Sequence, residues 1–407
     1  MLRMICFVML LTLCAGRPLN ACLWDRDTPQ EEGDNRPDVV AALTGRFERN
    51  PPLYYQMRLD RVATHLQDHP DHLDSYDDAG VACDRLGRGE VAISWMERKL
   101  SQIQDQDPSD PRHLYRYHAN VGTFIMHEWL RGGADGSQIE RVRAAREHIA
   151  LAIEINPDAH FGREAYQLLA MDWIINPPTE SWHDLPNLLG WSFGDIHGER
   201  TEPSEAEEAV HALAGLVILG NAWESVDVFH ALNVALQRDS VGFERSRDGG
   251  RNTLAYFAWL RCCELIDDGK SSLYPGAPTG NDLKSVLPAP DFPSQNSLLE
   301  NAFSDLRADA ESWHVNRMAF MNGRLRAGRH PDTDSRFWEG YDEAPIPKLP
   351  SISLHEAYHA NVNRRMRDFI VGCALIASLF VVGIVTVVYR TRRTMASSAL
   401  GHNFPPT

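Results

Sequence analysis

The chain has 407 residues, 43% of them hydrophobic and 24% charged, a composition that folds around a buried core and leaves room for more than one domain. Its 56 acidic residues against 40 basic ones give a formal charge of -16, which sets aside a nucleic acid held through its phosphates, because no basic patch offsets that balance. Seven scattered cysteines are too few for a disulfide framework in a chain of this length, and the adjacent pair Cys262 and Cys263 sits in a helical pattern that reads as buried free thiols.

At the N-terminus, Arg3 precedes an apolar stretch from Ile5 to Ala15 that is too short to span a bilayer, so residues 1–21 read as a secretory signal peptide. The run Leu19-Asn20-Ala21-Cys22 resembles the lipobox of bacterial lipoproteins, and the resemblance implies lipidation of Cys22. Arg17 and Pro18 interrupt that pattern, so ordinary cleavage near Ala15 or Ala21 is the competing reading. Residues 22–52 then form an N-terminal extension.

From Leu53 to Leu66 apolar residues recur at helical spacing, and His69-Pro70 stops the helix. His65, His69 and His72, with Asp68 and Asp71 beside them, have the spacing of a metal-ligand set, but Pro70 ends the helix between them and a solvated turn is expected instead. Tyr76 to Met96 reads as two amphipathic helices around a glycine-rich turn. Ala79, Gly80 and Ala92 let the helices approach, while Tyr76, Cys83, Leu86 and Met96 fill the seam. A second copy places Gly122 and Ile125 in one helix and Ala145, Ile149 and Ala152 in the next, which closes at Pro157, with an insertion from Arg131 to Gln138 between them. A looser third copy runs from Ala209 to Leu236.

These positions resemble the tetratricopeptide repeat family over Leu53 to Leu236. The resemblance implies stacked helix-turn-helix units that present a surface to a protein or peptide. Two departures stand out: Lys99 occupies a place where the second helix of the repeat has alanine, and the closing proline arrives late, at Pro108. The expected division is repeats over 53–176, an irregular insert over 177–203, degenerate repeat-like helices over 204–266, a loop over 267–296, a helical segment over 297–328 and an exposed linker over 329–353.

His355-Glu356-Ala357-Tyr358-His359 satisfies the H-E-x-x-H pattern, in which two imidazoles one helical turn apart share a zinc and the glutamate acts on its bound water. Only about ten residues separate His359 from a charge-free stretch, Phe369 to Tyr389, of bilayer-spanning length, which leaves no room for a downstream third ligand. The motif therefore reads as a juxtamembrane helix over 354–368, followed by a transmembrane helix over 369–389 and a cytoplasmic tail over 390–407, with the body on the extracytoplasmic side. The expected protein is all-α, a repeat solenoid with extra helices and one C-terminal membrane span. Its expected role is a non-enzymatic scaffold for a protein or peptide, without cofactor, metal or nucleic acid; a membrane-tethered zinc metallopeptidase is the alternative.

Overall fold

Helix boundaries follow the breakers and caps in the chain. The first helix, α1 (Val39–Thr44), starts where the Asp38 carboxylate accepts from the backbone of Val40 and Ala41, and ends at Gly45, whose φ of 84° only glycine adopts freely. α2 (Pro52–Asp68) opens on Pro52, which needs no partner for an N–H it lacks, and stops one residue before His69-Pro70. α3 (Leu73–Arg85) and α4 (Gly89–Asp105) are joined by three residues, with Gly87 at φ 73° making the reversal. α5 (Pro111–Arg131) and α6 (Ile139–Ile155) follow, separated by a loop that ends in a short 3₁₀ turn capped by Asp135. Then come α7 (Arg163–Ile175), α8 (Pro203–Ile218), α9 (Val226–Val241), α10 (Gly250–Asp267), the short α11 (Gly280–Ser285) and the long α12 (Asn296–Arg326).

The computed structural model describes residues 23–27, 38–105, 111–157, 162–178, 185–191, 203–220, 222–241, 250–290 and 296–347. Among the described residues every regular element is a helix and no strand occurs, so the protein is all-α. None of those helices is long and apolar enough to cross a membrane. The predicted signal peptide, Cys22, the His355-Glu356-His359 motif and the predicted span over 369–389 lie outside the described residues.

Each helix from α2 to α9 packs on its successor, and α10 packs on α11 and α12. α3 also lies against α5, so the first helices of two successive hairpins share a face. Glycine makes the hairpins close. A Cβ on Gly80 would meet Met96 Cε at 2.8 Å and Phe124 at 3.1 Å, and one on Gly122 would meet the Ala145 carbonyl oxygen and Ile149 Cδ1, each at 2.8 Å. Tyr76, Ala79, Cys83, Ala92 and Met96 are buried in the first hairpin, as are Ala145, Ile149 and Ala152 in the second. Ile125 is half-buried against the first hairpin's core, and Pro157 is exposed just beyond the end of α6.

Three stretches add structure to the expected division. α1 lies within the predicted N-terminal extension, and α11 lies within the predicted loop, where Leu283 is fully buried and draws the chain onto α10. The third is the expected exposed linker after α12. It carries Phe337 and His330 at 1% and 2% exposure, because Phe337 packs with Tyr54, Met321 and Leu325 between α2 and α12. With α12 also packed on α1 and α2, the end of the helical array returns to its beginning.

Candidate functional site

Five residues ahead of α1, Leu23 to Asp27, form a strap with no helical structure that lies across α2, α3 and α5. Leu23 is buried in the same core cluster as Leu66, Tyr76 and Val121. Trp24 is held by its backbone on both sides: its N–H donates to Asn120 Oδ1 at 2.7 Å, and its carbonyl accepts from Asn120 Nδ2 at 3.0 Å. Its indole N–H donates to the Tyr115 hydroxyl at 2.9 Å, and that hydroxyl donates to the buried Glu164 at 2.6 Å. The Tyr115 ring meets Trp24 edge-on, and the Arg116 guanidinium lies 4.9 Å from the indole centroid.

The Asn120 amide has a fixed orientation. Its Nδ2 also donates to Asp77 Oδ1 at 3.2 Å, and Asp77 is gripped in turn by Lys99 Nζ at 2.7 and 2.6 Å. Lys99 and Asp77 are 0% and 1% exposed, so burial pushes the ammonium down and the carboxyl up while the ion pair opposes both shifts. Lys99 on α4 thereby orients the side chain on α5 that holds the strap.

The strap's charged residues pair mainly with Asp78 and Arg58, and Arg26 also lies 3.5 Å from Asp332. Arg26 uses its N–H and its guanidinium on Asp78 of α3. Asp25 and Asp27 both go to Arg58 of α2, at 3.0 Å and 2.8 Å. Arg58 is fully buried and spends its remaining donors on Asp332, at 2.9 and 2.7 Å, and on the Tyr54 hydroxyl. Arg61 also pairs with Asp332, and His330 stacks on Tyr54 with ring centroids 4.6 Å apart. One guanidinium therefore ties the strap, α2 and the segment after α12 together.

These partners shift the carboxyl groups in opposite directions. Burial, with Asp27 close by, pushes Asp25 up to about 6 although Arg58 opposes it. Burial also acts to raise Asp332, but the hydrogen bonds and charge of Arg58, with His330 and Arg61, hold it at about 2. Beside the strap opens a cleft of about 880 Å³ whose wall includes Arg26, Asp27, Tyr54, Arg317, Asp332 and Trp338.

Most other chemistry-bearing groups are sealed or already paired. His127 Nδ1 lies 2.7 Å from Asp84 Oδ2, with Arg131 on the other carboxylate oxygen, but His127 and Asp84 are both 2% exposed and offer a substrate no access. Burial raises the thiols of Cys83 and Cys263 to about 11 and that of Cys262 well above its ordinary value, which keeps all three protonated at neutral pH. Among the described residues, the donors of Asp74, Asp77 and His113 lie within 4.8 Å of one another, yet Lys99 already neutralises Asp77 and Arg116 bonds Asp74 at 2.6 Å. His65, His69 and His72 come closer than their separation by Pro70 suggests. The turn folds their exposed rings together, with centroids 4.6 and 5.1 Å from His65.

The strap and Lys99 are what sequence reasoning left unassigned. A buried lysine in a helix seam where the pattern asks for alanine was the available sign for the second; Leu23 to Asp27 carries no periodicity to read.

By fold the protein is an all-α array of packed helices with a short strap seated on the face of α2, α3 and α5. No protein-family model matches the chain, and no curated protein or solved structure matches it either.

Proposed function

We propose that this protein is a non-enzymatic scaffold that binds a protein or peptide on the face formed by α3 and α5, within a tetratricopeptide-like array. The observation that carries the reading is the pair of hydrogen bonds in which the Asn120 amide accepts from the Trp24 backbone N–H and donates to its C=O. A side-chain amide that grips both polar groups of one residue holds a polypeptide whatever its side chains are, and aromatic and charged neighbours then select among sequences. The scaffold is tethered to a membrane through residues 369–389, with the body extracytoplasmic and Cys22 a further candidate for attachment.

A photoreactive amino acid at Arg116, beside the strap, tests this in cells. The expected result is a covalent adduct to a second polypeptide, visible as added mass on a denaturing gel, that forms at 116, fails to form at the exposed Leu151 of α6, and disappears when Asn120→Ala is added. Adducts of equal yield at both sites, or adducts indifferent to Asn120, would overturn the reading. The metallopeptidase alternative through His355, Glu356 and His359 instead predicts about one zinc per chain after dialysis, lost in the His355→Ala, His359→Ala double variant.

A further inference from the structure

We propose that the face of α2, α3 and α5 is a receptor for short segments of the pattern Leu-Trp-Asp-Arg-Asp, that residues 23–27 occupy it in cis, and that a partner protein enters by presenting the same chemistry and displacing the strap. The inference rests on the scaffold reading and names the partner that reading leaves open.

A buried apolar slot takes the first residue, as it takes Leu23. The Asn120 amide takes the backbone of the second, and the Tyr115 hydroxyl accepts from its indole, which favours tryptophan over phenylalanine because only an N–H can reach that oxygen. Arg58 takes an acid at the third and fifth positions, and Asp78 takes an arginine at the fourth through two donors. With the strap removed, the face keeps Arg58 and Arg61 against Asp78 and Asp332, a mixed surface that matches two acids flanking one base and disfavours a run of either sign.

The strap is also built to be exchangeable. It contributes no helix, and the hydrogen bonds named above run to receptor side chains, those of Asn120, Tyr115, Asp78 and Arg58. Attached to the same chain, it competes with an incoming segment at an effective concentration on the order of millimolar. Partners in trans must therefore bind more strongly than the strap or act on a strap already weakened.

The test uses the full chain and a labelled, N-acetylated Leu-Trp-Asp-Arg-Asp amide, with a scrambled peptide of the same composition as control, read by fluorescence anisotropy. The Trp24→Ala, Arg26→Ala chain is expected to bind the peptide at least tenfold more tightly than the intact chain, and to lose at least tenfold on adding Asn120→Ala. Absence of binding to the strap-weakened chain, or equal binding of the scrambled peptide, overturns the proposal. Should that variant fail to fold by circular dichroism, hydrogen exchange on the intact chain decides. Excess peptide is expected to strip protection from residues 23–27 while α3 and α5 keep theirs, and unchanged protection at the strap overturns the idea. If the peptide fails while the crosslink at 116 still depends on Asn120, the partner class is wrong and the scaffold reading stands. If both fail, the scaffold reading falls too.

Discussion

Lys99 reaches the strap without touching it, by fixing Asp77, which fixes Asn120. Lys99→Ala leaves a buried carboxylate without its cation, so a loss of about 3–5 kcal/mol is expected in urea denaturation; the Asp77→Leu, Lys99→Met pair should recover most of it, because a buried ion pair contributes little net stability over packed apolar residues. A double variant as unstable as Lys99→Ala alone would contradict that account. Protonation provides a second measurement at this scale. Asp84 and Asp332 are held at about 2 against an ordinary 3.8, so the stability they give is full above 3.8 and lost as pH falls toward 2. Asp25, near 6, has the opposite sign: the folded state favours its protonated form, and stability declines as pH rises from 3.8 to about 6. Thermal melts across this range should show the upper decline flattened by Asp25→Asn and the acid loss reduced by Asp84→Asn. None of these groups was legible as a pair in the sequence, since Asp25 lies 33 residues from Arg58 and Asp84 lies 43 from His127, and only the packing of the helices joins them.

Between helices, the kind of atom a new methyl meets decides its effect. At Gly80 the nearest atoms are the flexible end of Met96 and a Phe124 ring edge, whereas at Gly122 a Cβ meets the Ala145 carbonyl oxygen, which moves only if the backbone of α6 moves. Alanine gains about 1 kcal/mol of helix propensity at either position, so Gly80→Ala is expected to fall near neutral and Gly122→Ala to lose about 1–3 kcal/mol net. Gly80→Val, which adds a branch to the same seam, should lose a comparable amount. Melting temperatures that rank Gly80→Ala below Gly122→Ala would refute this ordering. The same seams explain which elements were readable. α2 to α6 are legible because their apolar and small residues keep helical spacing between Pro52, Pro70, Pro111 and Pro157. The buried stretch around Phe337 is not, because its anchors sit among Pro, Asp, Arg and Gly with no period, and only the return of α12 gives them a surface to cover.

On the scale of the whole molecule, the array closes on itself through small contacts rather than one broad interface. The Arg85 guanidinium donates to the Leu219 carbonyl at 3.0 Å, joining the ends of α3 and α8 across 134 residues of sequence, and α12 packs on α1 and α2. If the body is extracytoplasmic as proposed, protease added to intact spheroplasts should degrade it; cleavage confined to the residues after Tyr389 would place it on the other side. The guanidinium of Arg58 sets an order on how the body matures. The strap and α2 are translated well before the segment beyond α12, since Asp332 stands 274 residues after Arg58. A nascent chain thus adds 274 residues after Arg58 before Asp332 exists, and the lock is completed only when the segment beyond α12 arrives. Chains interrupted between α12 and Asp332 carry every helix named above but leave Arg58 without its last partner.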